Sequence, residues 1–210
     1  MNYEIVLATN NKHKLKEVRE ILTPEGIIVY GLSDLGLKPE EVEENGNTYF
    51  ENALIKAKSV QKLTSFPVIS DDSGIEISAL NWEPGIHSAR FAESHGGYDQ
   101  TFKFILDKIK DLNDRKARFV CDIVLLNVED KPLLFEGIVN GQIAESPYGE
   151  SGFGYDPIFI CDDVGITYAE MFSKDKNIYS HRARALKKLI TYLKVNNLIH
   201  KPKEHNHDEK

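Results

Sequence analysis

Two long β-type runs, ARFVCDIVLLNV (117–128) and PLLFEGIVNGQIA (132–144), are separated only by Glu129, Asp130 and Lys131. Runs of that length joined by so short a polar link read as an antiparallel hairpin. The first half of the chain has a different rhythm. EIVLA (4–8) is a short apolar run of the kind a buried strand shows, and Leu15, Val18, Ile21 and Leu22 then repeat at helical spacing up to Pro24. IIVYG reads as a second strand, Phe50, Ala53, Leu54, Ala57 and Val60 draw the stripe of a helix from Thr48 to about Leu63, and FPVIS reads as a third strand. GIEISAL (74–80) reads as a further short strand. Strands alternating with helices and then a hairpin predict an α/β fold with a mixed central sheet flanked by helices.

NWEPGIHSARFAESHGGYD reads as a loop, followed by a helix with Phe102, Ile105, Leu106 and Ile109 on one side. After the glycine-rich YGESGFGYDP come a strand, IFI, and a polar stretch. A final helix starts near Ser180, with Ala183, Leu186, Leu189, Ile190 and Leu193 inward. A single domain is expected over residues 1–197, with 198–210 a disordered tail whose three histidines belong to a frayed terminus.

Composition excludes several classes of function. With 41% hydrophobic and 28% charged residues in 210, the chain can bury a sizeable core. A net charge of −7 argues against binding a nucleic-acid polymer, which needs many Lys and Arg against phosphates. Cys121 and Cys161 are flanked by β-type apolar residues and suit two buried thiols in a reducing cytosol. The N-terminus carries no signal-peptide pattern and no apolar run approaches the ~18 residues of a membrane span, so a soluble cytoplasmic protein without a membrane partner is expected.

Residues 7–18, LATNNKHKLKEV, bring Lys12, His13, Lys14 and Lys16 to the start of a helix. That end carries partial positive charge, and each cation there is disfavoured by roughly 0.3–1 kcal/mol. Asn11, Lys12 and Lys14, together with free backbone N–H groups, read as a phosphate cradle, although lysines reaching into water give the same pattern. No G-x-x-x-x-G-K-[ST] loop occurs. Ser180, His181 and Arg182 repeat the arrangement shortly after Lys174 and Lys176, which points to convergence on a polyanion such as a triphosphate. An amphipathic helix with a basic outer face is the plainer alternative.

VISDDSG sets Asp71 and Asp72 directly after a buried strand, at the carboxyl end where open α/β sheets place ligands. An unpaired buried carboxylate costs several kcal/mol, so a partner is required, and Mg²⁺ takes one or two carboxylates with water and phosphate. The acidic loop EEVEENG offers a second ligand or is simply solvated, while a turn or cap residue is the alternative for Asp71. SGFGYDP supplies Phe153 and Tyr155 for stacking and Asp156 as a polar reader, or else a tight aromatic turn.

ATNNKHK, VEENGNTYFENALIKAK, ISDDSGIEI, PGIHSARF, GFGYDPIF and SHRARAL, in this order, resemble the Ham1 or inosine triphosphatase family over nearly the whole chain. The family's T-G-N-x-x-K falls on Thr9, Asn10, Asn11 and Lys14, with Asn10 where the family usually has glycine. The resemblance implies that this loop, Lys12 and His13 included, holds a triphosphate, that Lys56 contacts phosphate, and that Glu44 is a magnesium-linked acid. It makes Asp72 the metal-binding general base with Ser73 beside the substrate. Phe153, Gly154, Tyr155 and Asp156 would form the base slot, and Lys176, His181 and Arg182 its other side, with KDK standing where the family has EEK.

By the same resemblance the fold is an elongated, two-lobed single domain with the active site in a cleft, and the molecule a homodimer. The implied activity is Mg²⁺-dependent hydrolysis of non-standard purine nucleoside triphosphates (ITP, dITP, XTP) to the monophosphate and pyrophosphate. A nucleotide-binding regulator that does not hydrolyse, and a hydrolase that releases orthophosphate, are the alternatives.

Overall fold

The computed structural model describes residues 2–200. Seven strands among them form one sheet in the order β2-β1-β3-β5-β6-β7, with β4 also on β3. Here β1 is Tyr3–Leu7, β2 Ile27–Tyr30, β3 Val68–Ile77, β4 Glu83–Pro84, β5 Lys116–Leu126, β6 Leu133–Ile143 and β7 Phe159–Cys161. The β2-β1-β3 side is parallel, as the intervening helices α1 (Lys12–Leu22) and α2 (Tyr49–Gln61) require, and the rest is antiparallel. The sheet is therefore mixed, as the patterning predicts.

Alternation along the strands separates the core into faces. Ile5, Leu7, Ile69, Ile123 and Leu125 point to one side, under α1 and α6 (His181–Val195). Val6, Val68, Val124 and Leu126 point to the other, under α2. At the far end of the same strands, Ile75, Ile77, Phe119 and Val139 pack with α4 (Tyr98–Ile109) in a further cluster. The segment Asp71–Gly74 lies between these packed ends.

Three expectations change. FPVIS and GIEISAL are one continuous strand, β3, paired with β5 from Val68↔Leu126 to Ile77↔Ala117. Asp71 and Asp72 therefore sit in mid-strand, beyond the end of β1, whose pairing stops at Leu7↔Ile69. Gly74 marks a close approach: a Cβ there would lie 2.1 Å from the Gly85 carbonyl oxygen. Two short helices, α3 (Ser88–Ser94) and α5 (Ser173–Tyr179), occupy stretches that read as loop and polar segment. Ile199 is buried against the α6 side of the core, so ordered packing continues past 197; residues 201–210, with His205 and His207, lie outside the described residues. Among the described residues no helix is long and apolar enough to cross a membrane.

Candidate active site

Asp71 and Asp72 face opposite sides of β3, as neighbours in a strand must. Asp71 is 2% exposed and turns toward α1 and α6, where Lys14 Nζ lies 3.2 Å from Oδ1 and Arg182 Nε donates to Oδ2 at 3.0 Å. Burial pushes its pKa up, but Lys14, Arg182 and Lys56 more than reverse this and hold the carboxyl well below the usual range. Asp72 turns toward α2, 4.0 Å from Lys56 Nζ, and its buried Oδ2 has no partner. Burial first, then Glu44 and Asp71, raise its pKa to about 6 against the pull of Lys56 and Lys14. The two acids thus have different tasks: Asp71 is a paired anchor, and Asp72 is a poised carboxylate.

Lys56 donates to the Asp71 carbonyl at 2.6 Å and lies 3.1 Å from Glu44 Oε1. Glu44 belongs to the long loop before α2, fastened by Gly46 N–H to Asn52 Oδ1 (2.8 Å) and by Arg90 to the Glu44 carbonyl (2.9 Å). The loop acid is held, not merely solvated.

On the other wall, Lys176 donates to Glu17 (2.5 Å) and to Asp156 (2.6 Å). Arg182, 1% exposed, donates through Nη1 to Glu17 (2.5 Å) and through Nη2 to Ser73 (3.2 Å). Asp156 also accepts the Phe153 N–H at 3.0 Å, and Gly152, at φ +73°, must be glycine because a Cβ would meet Asp156 Oδ2 at 2.1 Å. Phe153 carries Lys176 Nζ 4.8 Å and Arg182 Cζ 5.8 Å from its ring centroid. Lys174, by contrast, is exposed.

Several of the expected site residues have partners within the protein itself. Asn11 Oδ1 caps α1 by accepting from the N–H groups of His13 (3.0 Å) and Lys14 (3.1 Å), and Ser180 Oγ caps α6 by accepting from Ala183 N–H (3.0 Å). The N–H groups of His13, Lys14 and Ala183 are therefore already engaged, while the side chains of Lys14 and Arg182 line the cleft. The cations at both helix starts are balanced internally, Lys14 by Asp71 and Arg182 by Glu17 and Asp71. His181 is buried and stacked on Phe119 at 4.4 Å, and burial, then Arg182 and Lys176, drive its pKa far down, so it is a neutral ring and not a cation. Tyr155 is a core residue: it is buried, donates its hydroxyl to the Ser88 carbonyl (2.6 Å) and packs edge-on with Tyr98. Asp156 is committed to Lys176 and the Phe153 N–H.

These groups line one cleft of about 360 Å³. Asn11, Lys14, Glu44, Lys56, Asp72 and Ser73 line one part of it, and Phe153, Gly154, Tyr155, Asp156, Lys176, His181 and Arg182 another. Thr9, Asn10, Lys12 and His13 do not line it; Thr9 Oγ instead accepts from Asn11 N–H at 3.1 Å. Glu17 is the chief omission of the sequence reading. Its signal is present, since it shares the inner face of α1 with Lys14 three residues before and Ile21 four after.

The Ham1 family model matches residues 5–192. The chain belongs to the Ham1 family. It is 45% identical over 192 residues to a dITP/XTP pyrophosphatase of Dictyoglomus thermophilum, covering 90% of this chain and 93% of that protein. The dITP/XTP pyrophosphatase of Bacillus subtilis is 44% identical over 194 residues, 91% and 98% of the two chains. The solved structure of the Staphylococcus aureus Ham1 protein superposes with a TM-score of 0.80 at 39% identity, covering 92% of this chain and 99% of that one. In this Ham1 protein the matched span contains every residue of the cleft wall named above.

The donor set fits a hard divalent cation. Glu44 and Asp72, from a loop and a strand, converge on one cationic group, Lys56 Nζ, and Asp72 Oδ2 is buried without a partner. Among the described residues no three His, Cys, Asp or Glu side chains gather to hold a metal ion. Glu44 and Asp72 are the two carboxylates placed to hold such an ion.

Proposed function

We propose that this Ham1 protein hydrolyses non-standard purine nucleoside triphosphates, ITP, dITP and XTP, to the monophosphate and pyrophosphate in a Mg²⁺-dependent reaction. The names of its relatives support the substrate class, and the carrying observation is the Asp72 carboxylate, its Oδ2 buried without a partner, in one cleft with Lys14, Lys56, Lys176 and Arg182. A pure anion sensor has little use for an ionisable carboxylate aimed at its ligand.

Glu44 and Asp72 would hold Mg²⁺, which when bound neutralises phosphate charge and sharpens the electrophilicity of the α-phosphorus. Asp72, a buried carboxylate whose pKa is raised by desolvation in the metal-free protein, is the general base that takes a proton from water. Lys14 and Lys56 lie within 4.0 Å of Asp71 and Asp72 respectively and are placed to balance charge that develops on the departing pyrophosphate.

Phe153 offers a ring face to the base. His181, neutral with an unpartnered Nδ1, and Arg182, with three of its five donors spent, are the groups that read the oxygen at purine position 6. Adenine presents an amino group there, which leaves buried donors opposed, and such a mismatch rejects an analogue by up to about 10⁴-fold. We further propose a homodimer working in the cytoplasm, whose reducing conditions suit the buried free thiols of Cys121 and Cys161.

Phosphorus NMR of ITP turnover with Mg²⁺ tests the reading. Pyrophosphate with IMP is the expected product pair; orthophosphate indicates a terminal-phosphate hydrolase, and tight binding without turnover a regulator.

A further inference from the structure

His13 stands out as a residue whose geometry does not suit the phosphate loop. Its side chain does not line the cleft, and its backbone N–H is spent on the Asn11 cap. Its ring instead lies parallel to Phe153, with centroids 4.9 Å apart and planes 12° apart, an offset stack. A second cavity of about 380 Å³ adjoins the cleft; His13 lines this cavity, and Phe153 and Lys176 line both. Phe153 is thus a partition, with the cleft on one side and His13 on the other.

Such a partition needs support. Phe153 is carried between Gly152 and Gly154, both at positive φ (+73° and +63°), in a turn whose glycines leave the backbone many alternatives. The N–H of Phe153 is tied to Asp156, but that bond fixes the main chain and not the ring. The ring itself is contacted by the cations of Lys176 and Arg182 and, as its one parallel aromatic neighbour among the described residues, by His13.

We propose that His13 is a positioning residue that backs Phe153, so that a purine base in the cleft extends a three-layer stack of His13, Phe153 and base. This rests on the base-slot reading given under the proposed function, and it makes His13 a contributor to base affinity without contact to either base or phosphate. It also assigns the role to the aromatic plane of His13 and not to its charge.

Three variants separate these roles: His13→Ala, His13→Phe and His13→Lys, each assayed for ITP turnover and for inhibition by inorganic tripolyphosphate, which has no base. The expected result is a KM for ITP about three- to tenfold higher in His13→Ala and His13→Lys with kcat within about twofold, wild-type KM restored in His13→Phe, and an unchanged tripolyphosphate inhibition constant throughout. Wild-type behaviour of His13→Lys with a defect in His13→Phe would show a phosphate contact and overturn the proposal. So would an unaltered His13→Ala, or tripolyphosphate inhibition that weakens in step with KM. Failure of the wild type to bind ITP at all would sink the base-slot reading and this inference together, whereas normal wild-type turnover with any of the contrary variant patterns sinks the inference alone.

Discussion

Asp72→Asn should cut activity steeply and, at the same time, make the metal-free protein more stable above neutral pH. Asp72 is 8% exposed, its Oδ2 has no partner, and its nearest cation, Lys56 Nζ, is 4.0 Å away and shared with Glu44 and the Asp71 carbonyl. Its pKa is raised from 3.8 to about 6, by burial first, with Glu44 and Asp71 adding. An acid whose folded pKa exceeds its unfolded one holds its proton longer in the native state. The penalty is therefore absent below about pH 3.8, builds between about 4 and 6, and is complete above the folded pKa. A rise of about two units corresponds to about 3 kcal/mol, with the Lys56 attraction already included. Asparagine has nearly the same shape and no charge. Urea unfolding of the metal-free variant at pH 8 should give a stability up to about 3 kcal/mol above wild type, and near pH 4 the two curves should nearly coincide. Turnover of ITP should fall by about 10²–10⁴-fold. Added Mg²⁺ should raise the stability of wild type and leave the variant unmoved. A variant less stable than wild type at pH 8 would refute the reasoning, because Asp72 would then be the satisfied partner of Lys56 and not a strained carboxylate waiting for a cation.

Glu17→Gln acts in the opposite direction. It leaves the buried Lys176 and Arg182 without a shared anion and should cost about 3–5 kcal/mol in urea unfolding at pH 7. Burial raises the Glu17 pKa, but Arg182 and Lys176 bring it below normal, so its contribution is present above the unfolded value and disappears as pH falls through the lower folded one; the wild-type advantage should shrink under acid. Arg182→Lys keeps a cation beside Asp71 but removes the planar fork, and should narrow the ratio of kcat/KM for ITP over ATP; an equal fall for both substrates would limit Arg182 to holding Asp71, Glu17 and Ser73 in place.

The elements that carry the site announce themselves because hydrophobic period and turn chemistry are local. The helix of Leu15, Val18 and Leu22, the hairpin around Glu129–Lys131 and the stripe of α6 follow from spacing alone. Local rules mislead at β3, where two aspartates, a serine and a glycine are all poor strand formers yet sit in register with β5. Pairing to β5, contact of Gly74 with Gly85 and the cations of α1 and α6 outweigh that propensity. Helices α3 and α5 are seven residues each, too short for a period to show.

The charge pattern has the same limit, with a chemical consequence. Lysines and an arginine at two helix starts violate the macrodipole preference, which by itself asks for an anion without saying whose. The anions turn out to be the protein's own: Glu17 is 159 residues from Lys176 and 165 from Arg182, and no local pattern couples positions so far apart. In the assembled cleft and the shell behind it, Glu17, Glu44, Asp71, Asp72 and Asp156 outnumber Lys14, Lys56, Lys176 and Arg182, and His181 adds no charge. A triphosphate brought to this set alone would meet a net negative wall. Two further positive charges between Glu44 and Asp72 reverse that sign, and the same step relieves the strained Asp72 carboxylate. The affinity of the cleft for a polyanion and the strained state of Asp72 are thus one property, so Mg²⁺ should tighten binding of a non-hydrolysable triphosphate by the same factor by which that triphosphate tightens binding of Mg²⁺, both read by calorimetric titration.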